Sequence, residues 1–430
     1  MKYFIDVYGC QMNAHDSEII AGILEGSGYR RTEDPEDARV ILIVSCAVRE
    51  HAETRVLGRV AQLGGLGRLS SGPEPTVVLC GCVAQEHGES LLKKMKDLDL
   101  VVGPDCYRDL PKLIDGAVKS SLTEFRREDY SGIEAVRRDY PRSFVTIMRG
   151  CDNFCTYCIV PYVRGRERSR RREAVLGEVA ELRSDGYGEI TLLGQNVNSY
   201  RDGDTGFPEL LKDVSEVAGD DTWVRFVTSN PGDLDAGTVK VMAGSSNVCR
   251  QLHLPVQSGS DSVLRAMNRR YDISLYLKKI EMLREAMPGI VLTTDVIAGF
   301  PGETVEDFQQ TVELLEKVRF DYAFLFRYSE RTGTAACDLP DQVPEGERLS
   351  RLNRLQELQR SITVELSRKL AGRTMEVLVT GRGRLAGQTA ARTEGNRMVI
   401  LEERGLKPGD RLKVRIRKAD GWTHFGTLEG

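Results

Sequence analysis

Cys151-Asp-Asn-Phe-Cys155-Thr-Tyr-Cys158 is the stretch from which the rest of the chain is read. The apolar run Phe144 to Met148 precedes it, and a dense arginine run follows. Three thiolates within eight residues make a metal-ligand set, on a loop just past a strand, where a parallel barrel keeps its chemistry. Disulfides are a poor reading, because the spacing is tight and nothing upstream looks like a secretory signal. A closed zinc site needs four ligands, and no histidine lies between His87 and His253. Three thiolates on a four-iron cluster leave one iron open to bind substrate.

The spacing C-x3-C-x2-C, with aromatic Tyr157 before the last cysteine, resembles the signature of the radical S-adenosylmethionine (SAM) enzymes. The resemblance implies a [4Fe-4S] cluster on Cys151, Cys155 and Cys158, with Tyr157 beside bound SAM. It further implies cleavage of SAM to a deoxyadenosyl radical, which attacks C–H bonds that no acid or base reaches.

At 430 residues the chain is long enough for about three domains of ~150 residues each. Its 40% hydrophobic and 29% charged residues are those of a soluble globular protein, and no apolar run approaches the ~20 residues of a membrane span. A cytoplasmic protein with no membrane partner is expected. The net charge of -4 gives no global sign of nucleic-acid binding, so such a partner must meet local basic patches. Ten cysteines without a signal peptide point to reduced thiols and metal sites.

Ahead of the cysteine loop, Lys2 to Tyr8, Val40 to Ser45 and Thr76 to Cys80 are β-rich apolar runs. Helices are predicted at Asp16 to Glu25, Arg49 to Gly64 and Glu89 to Lys96. This βαβ pattern predicts a Rossmann-like sheet, whose loops after the strands' carboxyl ends converge on one edge. Each of those loops carries a cysteine, Cys10, Cys46 and Cys82, spaced 36 residues apart. Three convergent thiolates would make a second cluster site. A histidine follows each cysteine five residues on (His15, His51, His87), as in C-x4-H metal pairs. The chain should already be helical there, which carries the rings away. Cys80 competes with Cys82, since residues two apart on a strand share a face. Gly81, which lets the chain turn at the strand end, favours Cys82.

Tyr8-Gly-Cys-Gln-Met-Asn13 with Asp16-Ser-Glu18, Cys46-Ala-Val-Arg-Glu50 with Ala52-Glu53, and Gly81-Cys-Val-Ala-Gln85 resemble the three amino-terminal motifs of the methylthiotransferases. The resemblance implies Cys10, Cys46 and Cys82 as ligands of an auxiliary [4Fe-4S] cluster, with Cys80 a bystander. Val44-Ser45 departs from the asparagine and threonine expected there. Gln-Met-Asn after Cys10 points to the tRNA-modifying, MiaB-type branch rather than the one acting on a ribosomal protein. The charged stretch Val118 to Arg142 reads as a linker.

From Ser143 to about Leu370, strands are predicted at Glu189 to Leu193, Trp223 to Thr228, Gln251 to Leu254, Val291 to Ile297 and Tyr322 to Phe326, with helices between. A parallel, partly closed (β/α) barrel fits. Gly194-Gln-Asn-Val-Asn-Ser199, His253-Leu-Pro-Val-Gln-Ser-Gly-Ser260, Ile297-Ala-Gly-Phe-Pro-Gly-Glu-Thr304 and Arg327-Tyr-Ser-Glu-Arg-Thr-Gly-Thr334 look like family motifs at the strand ends. Gln195, Asn196, Gln257 and Ser258 are neutral groups suited to the polar ends of SAM, and Gly299 allows backbone to approach a ligand. His253 reads as a structural histidine. The arginine run, with Arg164, Arg166, Arg170, Arg171 and Arg172, suits a phosphate backbone in an otherwise acidic chain.

A long helical pattern from Glu345 to Leu370 gives way to short strands at Met375 to Thr380, Met398 to Leu401, Leu412 to Arg417 and His424 to Leu428. A small antiparallel barrel rich in exposed basic residues is predicted, among them Arg382, Arg384, Arg392, Arg397, Arg411, Lys413, Arg415, Arg417 and Lys418. It resembles a TRAM domain, the RNA-binding barrel of the same family. The expected domains are 1–117 (auxiliary cluster), 137–370 (radical SAM core) and 371–430 (TRAM). The family's reaction is methylthiolation of carbon 2 of adenosine 37 beside the tRNA anticodon, after isopentenylation, with an electron donor such as flavodoxin or ferredoxin. Its rivals act on threonylcarbamoyladenosine or a ribosomal protein. Outside the class stands an iron-sulfur electron carrier or RNA-binding module, and a carrier needs four protein ligands per cluster.

Overall fold

In the computed structural model, residues 1–47, 50–65, 74–116, 118–403 and 405–429 are described. Val48 and Arg49 of the second motif, the predicted helix start at Arg49 and the segment end at 117 lie outside them. The chain divides into two units, Met1–Arg138 with Thr146–Phe154 and Cys158–Arg170, and Asp139–Val145 with Cys155–Tyr157 and Arg171–Gly430.

The first unit is built on a six-stranded sheet in the spatial order Arg30–Arg31, Lys2–Val7, Val40–Ser45, Thr76–Gly81, Leu100–Val102, Ser120–Leu122, all neighbours parallel. Val40–Ser45 is buried at every residue, as a central parallel strand covered on both faces must be. Each of its apolar side chains contributes about 1.5–3 kcal/mol by leaving water. The strand order reverses between Lys2–Val7 and Val40–Ser45, the crevice where such sheets bind ligands.

The stretch read as a linker is not one. Ser120–Leu122 forms the sheet's edge strand, Tyr130 is buried, and Ile133, Ala135 and Val136 pack on the same apolar core. The sequence hides this because the apolar residues are isolated among charges, and the core selects them one at a time.

The second unit alternates strand and helix. Arg142–Thr146, Glu189–Leu193 and Trp223–Phe226 form one three-stranded sheet; Gln251–His253, Val291–Ala298 and Tyr322–Arg327 form another. A parallel bridge from Val224 to Val248 is the remaining trace of a ladder between them, so the barrel is open there. The helix Glu345–Arg368 packs on the last strand and leads to a closed barrel of Thr374–Arg382, Thr389–Thr393, Met398–Leu401, Thr423–Leu428 and Arg411–Asp420. This barrel is not wholly antiparallel, because Met398–Leu401 runs parallel to Thr423–Leu428.

The small barrel covers the amino ends of the core strands. Leu378 clusters with Trp223 and Cys249, Arg225 donates to the Thr393 carbonyl at 3.0 Å, and Arg397 pairs with Asp321 beside the start of the last strand. The carboxyl ends of the core strands lie at the other end and carry the motif loops.

Candidate functional site

Each cysteine of the amino-terminal set lies within three residues of a strand's carboxyl end. Cys10 caps the helix Gln11–Gly26 after Lys2–Val7, Cys46 follows Val40–Ser45, and Cys82 opens the helix Cys82–His87 after Thr76–Gly81. The first two flank the point where the strand order reverses. Gly9 has φ +130°, and a Cβ there would lie 2.4 Å from that of Cys46. Gly81 has φ +95°, and its added Cβ would meet the Ser45 carbonyl at 2.5 Å. Only glycine permits this approach of the loops.

The thiols are not alike electrically. A hydrogen bond with Cys46 pulls Cys10 down to about 6; burial opposes this, while Arg164 and the helix amides of Asn13 and Met12 reinforce it. Burial pushes Cys82 up, with Arg164 pulling the other way. Cys80 faces the apolar core, where burial raises its thiol as well. His15 bonds Thr146 at 2.7 Å and His87 bonds Glu53 at 2.7 Å. The side chain of His51 falls outside the described residues. Three sulfurs from three strand ends are a donor set that fits a cluster with one open iron.

Beneath them lies a buried ionic network that the sequence reading missed. Asp16, 0% exposed, forms ion pairs with Arg149 Nη2 at 2.9 Å and Arg164 Nη1 at 2.7 Å. Burial alone would raise the carboxyl of Asp16, but the two guanidinium groups hold it below the ordinary aspartate range. Arg164 also donates to Cys82 Sγ at 3.2 Å and Asn13 Oδ1 at 3.0 Å. Arg168 pairs with Asp105, and Arg170 donates to the Thr146 carbonyl at 2.8 Å.

This corrects the arginine run as a uniform phosphate surface. Arg164 and Arg170 are only 4% and 7% exposed and turn into the protein. Arg166 is exposed beside Asp152 and Phe154, Arg171 is exposed, and Arg172 is half-exposed against Asp213. Arg164 ends a short helix, Arg168 lies in a two-residue strand and Arg172 begins the next helix, so the turns of the chain decide which arginines face inward, which counting charge cannot reveal.

The cysteine loop is tied at its base in the first unit. Met148–Arg149 pairs antiparallel with Arg168–Ser169, and Cys151 N donates to the Gly165 carbonyl at 3.3 Å. Asn153 Nδ2 donates to Cys151 Sγ at 3.5 Å. In the second unit, Cys155 is 9% exposed and accepts from Arg269 Nη1 at 3.2 Å. Burial disfavours the charge of Arg269, yet Tyr157, Tyr271 and Cys155 together raise it. Tyr157 packs edge-on against Phe300, with ring centroids 6.4 Å apart. Nothing local in sequence marks Arg269, which lies more than a hundred residues from the loop. The three closely spaced thiols of the loop are a donor set that again suits an open-iron cluster.

The motif loops sit at the carboxyl ends of the core strands, with their side chains unequally available. Gln195 is half-buried, while Asn196 Nδ2 donates to Asp233 at 2.7 Å. Gln257 adopts φ +71° and its amide bonds the Asp295 carbonyl at 2.8 Å. Ser258 is fully buried against Thr311, and an added Cβ on Gly299, at φ +72°, would meet Arg348 at 2.6 Å. His253 bonds Thr293 at 3.0 Å and lies 3.4 Å from Asp295.

On the small barrel, Lys413, Arg415 and Arg417 alternate along one strand and are exposed, as are Arg382, Arg384 and Lys418. Arg397 is the exception to the predicted exposure, buried between Asp321 and the ring of Trp422. Arg392 and Arg411 are half-buried, with Arg411 stacked over Trp223 at 4.6 Å.

Residues 2–103 match an uncharacterized protein family, UPF0004; residues 145–315 match the Radical SAM superfamily, and residues 368–428 the TRAM domain. The tRNA-2-methylthio-N(6)-dimethylallyladenosine synthase of Chlorobium luteolum is 45% identical over 437 residues, covering 100% of this chain and 97% of that protein. The synthase of the same name from Carboxydothermus hydrogenoformans is 43% identical over 427 residues, covering 96% of each. The radical S-adenosylmethionine methyltransferase TsrM of Kitasatospora setae, solved with cobalamin and a [4Fe-4S] cluster, shares the fold: TM-score 0.60 at 12% identity, over 90% of this chain and 80% of that one. Identity of this degree along the whole length is kinship, and the chain belongs to the radical SAM methylthiotransferase family, with the tRNA-2-methylthio-N(6)-dimethylallyladenosine synthases as its relatives.

Proposed function

We propose that this protein methylthiolates carbon 2 of N(6)-isopentenyladenosine at position 37 of tRNA, giving 2-methylthio-N(6)-(dimethylallyl)adenosine. The observation that carries the reading is two separate three-cysteine sets on one chain that is 45% identical to a synthase of that name. Cys151, Cys155 and Cys158 would hold one [4Fe-4S] cluster and Cys10, Cys46 and Cys82 the other. When bound, the first cluster with SAM supplies the radical, and the second supplies the site for sulfur and its methylation.

The chain's own residues set the conditions. Arg269 donates to Cys155, and Gln195 and Gln257 stand at strand ends where the polar ends of SAM would be met. Arg166, Arg171 and Arg172, with the Lys413, Arg415 and Arg417 stripe, are the cations available to phosphate. An unpaired anticodon-loop base is splayed from the stack at modest cost, as RNA recognition generally requires. Domains at 1–117, 137–370 and 371–430 would divide the auxiliary cluster, the radical chemistry and RNA docking. No helix among the described residues is long and apolar enough to cross a membrane, and a cytoplasmic enzyme served by flavodoxin or ferredoxin is our reading.

The experiment is nucleoside mass spectrometry of tRNA from a deletion strain and from the strain complemented with this chain. Loss and return of the 2-methylthio group on isopentenyladenosine is expected. If that nucleoside persists and methylthio-threonylcarbamoyladenosine vanishes instead, the substrate assignment is wrong.

A further inference from the structure

One guanidinium in the first unit has a different partner on each nitrogen. Arg164 Nη1 lies 2.7 Å from Asp16 Oδ2, Nη2 donates to Asn13 Oδ1 at 3.0 Å, and Nε donates to Cys82 Sγ at 3.2 Å. A buried guanidinium must be paired and hydrogen-bonded to be tolerated, and Asp16 alone would neutralise it. The planar fork adds geometry, since fixing its two ends aims the third nitrogen. Both ends are fixed. The other oxygen of Asp16 is ion-paired with Arg149 Nη2 at 2.9 Å, and Asn13 is anchored by Nδ2 donating to the Tyr8 carbonyl at 2.8 Å. Arg149 lies two residues before Cys151 and Arg164 six after Cys158, so Asp16 also ties both ends of the cysteine loop to the helix carrying Asn13.

Resting on the reading of Cys82 as an auxiliary-cluster ligand, we infer that Arg164 is a positioning residue of that cluster, aimed by Asp16 and Asn13 to donate a charge-assisted hydrogen bond to the Cys82 sulfur. Hydrogen bonds to ligand sulfurs and nearby positive charge stabilise the reduced cluster, so Arg164 raises its reduction potential. The arginine run thus has two functions, its exposed members facing solvent and this one facing sulfur.

The test uses the full chain with Cys151, Cys155 and Cys158 changed to alanine, which isolates the auxiliary cluster. Arg164→Met and Arg164→Lys are added, each protein is reconstituted, and iron is counted. Dithionite then delivers one electron per cluster, with no bond made or broken, and the reduced cluster is followed by electron paramagnetic resonance. Arg164→Met is expected to keep its iron while the reduced-to-oxidised ratio at the parent's midpoint falls at least tenfold, or 59 mV for one electron. Arg164→Lys should fall between, as a point charge without the fork. A folded Arg164→Met that has lost iron while Arg164→Lys keeps it also supports positioning. The parent's midpoint and line shape in Arg164→Met would overturn the inference, as would unfolding of both variants by circular dichroism, which makes the residue structural only. Should the parent bind no iron, or should Cys10, Cys46 and Cys82 all changed to alanine cost none, the ligand assignment fails instead.

Discussion

The two cysteine sets are held in different ways. Cys151, Cys155 and Cys158 occupy eight consecutive residues whose base is closed by a two-residue ladder, so spacing alone nearly defines the set. Cys10, Cys46 and Cys82 are brought together only because three parallel strands end on one edge, two of them flanking the point where strand order reverses. The first set is a property of a loop and the second of a sheet. Their surroundings follow suit: the sheet-borne set rests on a buried aspartate between two arginines, whereas Cys155 of the loop meets Arg269, reached from afar.

The comparison is broken most decisively by iron. Changing Cys151, Cys155 and Cys158 to alanine should leave about half the iron and abolish SAM cleavage; changing Cys10, Cys46 and Cys82 should also leave about half, with SAM still cleaved and no methylthio product. One triple variant stripping all the iron would mean that the sets are not independent. Cys80→Ala, a core substitution, should keep the full iron content, and iron loss there would move the third ligand from Cys82 to Cys80.

The sheet's dependence on its ionic support is the next effect down. Asp16→Ala leaves Arg149 and Arg164 buried without their shared carboxylate, which should cost about 3–5 kcal/mol. Arg166→Ser, a few residues away but exposed, should stay within about 0.5 kcal/mol. Urea unfolding of the two variants beside the parent measures both. Equal midpoints would show that the buried network is no more than a surface pair in its energetics.

RNA separates the same arginines by exposure. Lys413→Ser, Arg415→Ser and Arg417→Ser together remove three cations from one exposed strand face, and the log-log salt slope of tRNA binding should drop by about 2. Arg170→Ser, inside the protein, should leave the slope alone. Surface substitution is the cleaner design here, because removing the whole barrel would uncover Trp223, Cys249 and Arg225 on the core.

What was legible in the sequence follows the range of the interactions involved. The core strands from Glu189 to Phe326 announce themselves through continuous apolar runs, and the cysteine loop through spacing. Thr389–Thr393 escapes notice because Thr-Ala-Ala-Arg-Thr carries little hydrophobicity until Val377, Val399 and their neighbours enclose Ala391. Tyr130 and the strand Ser120–Leu122 escape because charged neighbours mask them. The inward turn of Arg164, Arg170 and Arg397 depends on Asp16, Thr146 and Asp321, each brought near only by folding. Charge is visible in sequence, and its direction is tertiary.

A second depressed aspartate gives the smallest and sharpest contrast with Asp16. Asp307 opens the helix Val305–Val318, receiving the Thr304 amide at 3.0 Å, and binds the hydroxyls of Ser260 and Ser262 at 2.5 Å each. Burial pushes its carboxyl up, but these donors outweigh it and bring it from 3.8 down to about 2. A carboxyl depressed in the folded state stabilises the fold above its unfolded value, and the contribution is lost as pH falls through the folded value. The window is therefore pH 4 to 2. The shift alone corresponds to about 2 kcal/mol, and solvent screening at this largely open site reduces that to about 1 kcal/mol. Urea unfolding of the metal-free parent and of Asp307→Ala should differ by that amount at pH 7 and converge as pH approaches 2. A difference that stays constant with pH would assign the effect to helix capping geometry rather than charge, leaving Asp16 as the ionised carboxylate whose support is electrostatic.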